Sequence, residues 1–143
     1  MGFALRLLVS LLLFVCFSVI AGGVLAALIE YAYRFVLFGV PELARNVLAI
    51  GLGNAIGVWV AVWVVKKVVR HPPRRTLAAI GVALFSLSAV GVLMLLVQSG
   101  DWKTAAGQFA GAAAGAATSF YLLWRSDGYE GVLTEEATAP SSN

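Results

Sequence analysis

Four long apolar runs, Leu7 to Ile29, Val47 to Val65, Leu77 to Val97 and Ala105 to Trp124, contain no Lys, Arg, Asp or Glu. At about 1.5 Å of rise per residue, each run coiled as a helix reaches roughly 28 to 35 Å, which matches a hydrocarbon core of about 30 Å. Lipid offers no hydrogen bonds, so a spanning chain must be helical or a closed barrel. A barrel shows segments of about ten residues that alternate apolar and polar, and no such alternation is present. The expected fold class is therefore all-α: an integral membrane bundle of four transmembrane helices, arranged as two similar helical hairpins. The helices are expected at about 5–29, 42–66, 76–98 and 104–125, in one domain of residues 1–125. A cytoplasmic tail, 126–143, carries Asp127, Glu130, Glu135 and Glu136 among small residues and reads as disordered.

Hydrophobic residues make up 61% of the chain and charged ones 12%, which excludes an ordinary soluble enzyme, a disordered chain and a disulfide scaffold. Arg6 before an apolar run has the look of a secretory signal, but the run is long and lacks a small-x-small cleavage site. It is read as a retained helix. Cys16 sits within it, is the chain's one cysteine, and is read as a small packing residue.

Lys and Arg in short loops orient membrane helices. With four spans, Arg6, Lys66, Lys67, Arg70, Arg74, Arg75 and Arg125 share one side, and only Arg34, Arg45 and Lys103 lie on the other. Both termini are thus expected in the cytoplasm, with the protein multi-pass in the inner (plasma) membrane. Tyr31, Tyr33 and Trp102 mark one interface, and Trp63, Tyr121 and Trp124 mark the other.

The connections leave little room for a catalytic domain. Phe35 to Val40 is apolar enough to lie in the outer interface, Pro41 opens the second helix with Glu42 in its first turn, and Pro72 and Pro73 interrupt the basic loop from Lys66 to Arg75. That loop is read as a topological signal that also attracts anionic lipid head groups, and not as a nucleic-acid site. His71 has no His, Cys or acidic partner at metal-ligand spacing. No zinc site, nucleophile with its base, or Walker motif is present, so no catalysis, cofactor or metal is expected. Gly51, Gly53 and Gly57 are spaced one residue too widely for a dinucleotide fingerprint.

Those glycines have a packing explanation. Gly53 and Gly57 form one small-xxx-small pair, and Gly107, Gly111 and Gly115 form a triple among alanines. Such faces let helix backbones approach closely. The fourth helix is only weakly hydrophobic and should face protein, either within the chain or in a homo-oligomer or larger complex.

Polar residues within the runs are few. Asn54 is the most costly in hydrocarbon; it either bonds a neighbouring helix or lines a polar groove with Gln108, Thr118 and Ser119. Ser86 and Ser88 lie in the third run. Glu30 with Arg34, and Glu42 with Arg45, are spaced for same-face ion pairs worth tenths of a kcal/mol. One constant offset places Ala44 on Ala106, Asn46 on Gln108, Gly53 on Gly115, Ala55 on Ala117 and Trp59 on Tyr121. A parallel duplicated hairpin is a layout that transporters use.

Four spans in a chain of this length, two similar helix pairs, the stretch Gly-Val-Pro-Glu-Leu-Ala-Arg-Asn from Gly39 to Asn46, and Ser-Phe-Tyr-Leu-Leu-Trp-Arg from Ser119 to Arg125 resemble the GtrA-like proteins. The resemblance covers about residues 5–125. After helix two the chain has Lys66 and Lys67, preceded by Gly57 and Ala61 where the family usually shows Asn. The resemblance implies that the protein translocates, or helps handle, polyprenyl-phosphate-linked sugars for cell-envelope glycan assembly. Its partners would be membrane lipids and that lipid-linked sugar. Asn54, Gln108, Thr118 and Ser119 would line a polar seam, with Arg45 outside and Lys66 or Lys67 inside to meet the phosphate. The rival reading is a non-catalytic accessory subunit that docks through the Ala/Gly face of the fourth helix. A phage holin would commonly end in a basic tail, and this tail is acidic.

Overall fold

The computed structural model describes residues 2–36 and 39–124, which form four helices: α1 (Phe3–Val36), α2 (Glu42–Val68), α3 (Arg74–Ser99) and α4 (Trp102–Trp124). Among the described residues there is no strand. The helices α1, α2 and α3 are long and apolar enough to cross a membrane. Arg125 and the expected acidic tail lie outside the described residues, as do Leu37 and Phe38 in the first connection.

α1 runs well beyond the expected end near Ile29. No Pro or Gly follows Ile29 until Gly39, so nothing breaks the helix at the charged residues. Its last turns are stitched by spacing: Glu30 and Arg34 approach to 4.0 Å, and the Tyr31 and Phe35 rings lie 4.6 Å apart, both pairs being one turn apart on a helix. Pro41 then stands at the N-cap of α2 with φ −56, where a fixed φ and a missing N–H cost little. The α2–α3 turn passes through His71, at φ 60, in a region non-glycine residues seldom occupy, before Pro72 and Pro73 lead into α3.

The α3–α4 turn is short and fully specified. Gly100 ends α3 in the left-handed conformation (φ 68), its N–H bonding the Leu96 carbonyl at 2.9 Å, a placement that glycine adopts without strain. Asp101 starts α4 by accepting the Thr104 N–H on Oδ1 at 3.2 Å and the Thr104 hydroxyl on Oδ2 at 2.7 Å. The two helices are thereby folded back on each other.

α1 packs on α2, α2 on α4 and α4 on α3, while α1 and α3 barely meet. The weakly hydrophobic α4 is therefore sandwiched between α2 and α3. One core, made of Phe14, Val58, Ala61, Val62, Val65, Leu77, Ala78 and Leu123, fills the half of the bundle nearest the α2–α3 turn. Phe14 reaches α3 from α1, its ring lying against Gly81.

Candidate functional site

Two glycine crossings position the Asn54 amide. At the first, α1 meets α2 backbone to backbone: a methyl added at Gly57 would stand 2.6 Å from the Ser18 carbonyl oxygen and 2.8 Å from the Gly22 Cα, and one at Gly53 would stand 2.8 Å from the Gly22 oxygen. At the second, α2 meets α4: a methyl at Gly107 would stand 2.9 Å from the Asn46 Cβ, and one at Gly111 would stand 2.7 Å from the Asn54 Nδ2. Asn54 belongs to both crossings. Its Oδ1 faces Gly22, at 3.6 Å from the position a methyl would take there. The amide is thus held among α1, α2 and α4, half-buried, where glycines leave it space.

Charged residues close one end of this junction by pairing between helices. Arg45 Nε lies 3.3 Å from Glu30 Oε2, and Lys103 Nζ lies 3.4 Å from Glu42 Oε2. Arg45 therefore pairs with α1, and Glu42 with α4, where the spacing suggested that the two would pair with each other along α2. The reason is placement: α1 and α4 bring opposite charges to either side of α2. The Arg45 Nε contact has the distance of an ion pair without hydrogen-bond geometry, and that buried N–H is left unpartnered, like the hydroxyls of Ser10 and Ser119. At this same end Asp101 is held below the ordinary carboxylate value of 3.8, first by the Thr104 hydroxyl hydrogen bond and then by the Thr104 N–H.

The sequence-based candidates do not converge on one seam. Asn54 lies at the three-helix junction. Ser119 is fully buried in the other half of the bundle, where a methyl on Gly81 would meet its Oγ at 3.0 Å. Thr118 spends its hydroxyl proton on the Ala114 carbonyl at 2.7 Å, the local bond that threonines in helices commonly make. Gln108 is exposed and borders a separate cleft of about 190 Å³ between α3 and α4, beside Ser99, Asp101 and Thr104. Lys66 and Lys67 are exposed at the opposite end, with Lys67 Nζ 5.0 Å above the Trp63 ring.

The α4 glycines all face inward within the chain. Gly107 and Gly111 meet α2, and Gly115 meets the Phe85 ring of α3, so the glycine face expected to serve a partner is occupied by α2 and α3. Ser86 and Ser88 are exposed on α3. Two participants escaped the sequence reading, Gly22 and Ser10, and Asn46 figures in it only for its place in the repeat and in the Gly39 to Asn46 stretch. Gly22, within a Gly-Gly pair, and Ser10, a hydroxyl among leucines, were visible signals of contact points in α1. Among the described residues no group of His, Cys, Asp and Glu is arranged to hold a metal ion. No protein-family model, curated protein or solved structure matches this chain.

Proposed function

We propose that the chain is a four-span membrane protein, both termini cytoplasmic in the plasma membrane, that translocates or helps handle polyprenyl-phosphate-linked sugars. In this reading α4 is the fourth span, and its low hydropathy is tolerated because α2 and α3 shield much of its surface from lipid. The observation that carries the reading is the Asn54 amide among Gly22, Gly53 and Gly111. An amide within a span is costly in hydrocarbon and needs a polar partner, and in this reading the passing head group supplies one. The lipid tail stays in the bilayer while the head group passes the amide, with Arg45 at one face and Lys66 or Lys67 at the other to meet phosphate.

Two further features support this reading. Gly53 faces α1 and Gly115 faces α3, so positions equivalent under the proposed repeat occupy equivalent places in their hairpins. The α2–α4 contact is then the repeat interface, where transporters of this layout place their substrate. Transfer runs down the gradient set by synthesis on one side and consumption on the other.

The test is transfer of a lipid-linked sugar across proteoliposomes by wild type and Asn54→Leu. Transfer falling at least about tenfold, with unfolding unchanged, is expected; undiminished transfer in the variant sinks the role of this junction. The accessory-subunit reading draws on a different surface, the exposed Ala113 and Ala117 on α4. Bulky substitution there would release a partner without touching the glycine crossings.

A further inference from the structure

The two ends of the bundle differ in charge. The three described acids, Glu30, Glu42 and Asp101, lie with Arg34, Arg45 and Lys103 at the end of the α3–α4 turn, and Arg6, Lys66, Lys67, Arg70, Arg74 and Arg75 lie at the end of the α2–α3 turn. Two open cavities meet at this basic end and share His71. The first, about 420 Å³, is lined by Arg6, Val9, Val68, Val69, Arg70 and His71. The second, about 380 Å³, extends from Phe3 past His71 and the two prolines to the first turn of α3.

The lining of the first cavity joins two chemistries. Arg6 and Arg70 come from different elements and both line this cavity, and a guanidinium suits phosphate oxygens through paired, charge-assisted hydrogen bonds. Val9, Val68 and Val69 give the same cavity a hydrocarbon wall. A free anion gains nothing from such a wall, whereas an amphiphile uses both parts. Basic pockets between helices on the cytoplasmic side of a membrane are known binding places for lipid head groups.

We propose that this cleft is a binding site for the phosphate head group of an anionic bilayer phospholipid, with Arg6 and Arg70 at the phosphate and Val9 and Val68 against the first methylenes of its chains. The site stands independently of the proposed transfer activity, whose central residue, Asn54, lies elsewhere. It also differs from diffuse attraction to a basic surface, because Lys66 and Lys67 line neither cavity.

That difference supplies the experiment. The purified full-length protein is titrated with phosphatidylglycerol or phosphatidylcholine in mixed micelles, and bound lipid is read by native mass spectrometry. Two variants remove the same formal charge: Arg6→Gln with Arg70→Gln at the cavity, and Lys66→Gln with Lys67→Gln outside it. Wild type binds phosphatidylglycerol in preference to phosphatidylcholine. The cavity variant weakens that binding about 30-fold, the loss expected of two basic contacts, and the lysine variant weakens it at least about tenfold less.

Equal losses in the two variants would overturn the site in favour of diffuse attraction. Displacement of the lipid by inorganic phosphate would overturn the lipid assignment and leave a free-anion site. If Arg6 proves necessary for folding, Arg70→Gln alone, on an exposed residue of the turn, should cost about fivefold. No loss there, with the folded protein intact, refutes the proposal.

Discussion

The two hairpins are joined by the same kind of small-residue motif and use it differently. Where α1 crosses α2, Gly57 lies against the Gly22 backbone and the Ser18 carbonyl, so main chain touches main chain. Where α3 crosses α4, Gly115 receives the Phe85 ring and Gly81 receives the Ser119 side chain. Toward the α3–α4 turn that second pair is bordered by an apolar groove of about 440 Å³ beside Trp102 and Phe109 and by the cleft at Gln108. In a bilayer, where lipid is as apolar as the side chains, helix association depends on such close packing and not on hydrophobic drive. The first hairpin therefore crosses through main chain, which cannot turn aside, and the second through side chains that can.

Substitution at the first crossing should have the largest effect. Backbone atoms cannot rotate aside, so Gly57→Ala forces α1 and α2 apart and should cost about 3 kcal/mol, at the upper end of the overpacking range. Gly57→Leu should give no folded bundle. Unfolding of the purified protein in a denaturing detergent series measures both. A Gly57→Ala variant as stable as wild type would break the distinction between the hairpins, because it would show that the α1–α2 crossing also yields.

Gly115→Ala is expected to cost less, about 1 kcal/mol, although the added methyl overlaps the Phe85 ring. The ring is the end of a rotatable side chain and can turn aside, as backbone cannot. Trimming it should then relieve the crowding: Gly115→Ala combined with Phe85→Leu should be more stable than the sum of the two single losses predicts, with a coupling of about 0.5 to 1 kcal/mol. Strict additivity would mean that backbone movement, and not the ring, accommodates the methyl.

The ion pair at the charged end of the first hairpin contributes less still. Arg45 and Glu30 are each about one-third exposed, and exposed pairs of this kind contribute about 0.2 to 1 kcal/mol. A double-mutant cycle of Arg45→Gln and Glu30→Gln should give a coupling within that range that shrinks in high salt. A coupling insensitive to salt would identify the pair as desolvated in the membrane, and would make the unpartnered Arg45 Nε a group held ready for another acceptor.

Much of the helical architecture was legible because its cause is local. Charge-free runs, Pro41 and the Pro72-Pro73 pair set where the helices lie, and the absence of a breaker before Gly39 explains why α1 outran its apolar run. The glycine spacing identified contact faces, but spacing along one helix carries no information about the partner. Gly57 therefore could not be matched with Gly22, nor Gly115 with Phe85. The candidate site was legible only in part for the same reason. Asn54 stands out by its cost in hydrocarbon, whereas Gln108 and Thr118 share its polarity and differ in direction, one turned to an open cleft and one bonded to its own helix. Glu42 and Arg45 repeat the lesson, since their spacing permits a pair that α1 and α4 outcompete.

The smallest effect is expected at Asp101, and it tests whether the second hairpin owes its geometry to the turn. Its carboxylate accepts the Thr104 hydroxyl and N–H, and both bonds favour the charged form, which lowers the pKa from 3.8. A carboxylate whose pKa is depressed by folding contributes stability that is fully present above its unfolded value and is lost as pH falls through its folded value. The contribution should therefore be constant from neutral pH down to about pH 5 and disappear below 3.8, the ordinary value. Asp101→Asn keeps an acceptor for the Thr104 N–H but has no charge to titrate, so it should flatten this acid limb while leaving neutral stability only slightly reduced, since asparagine also serves well at a helix start. Hydrogen exchange at the Thr104 amide, followed from pH 6 to pH 3 in wild type and variant, reads the turn directly. If the amide remains equally protected in wild type across that range, the turn is held by Gly100 and the packing of α3 on α4 alone.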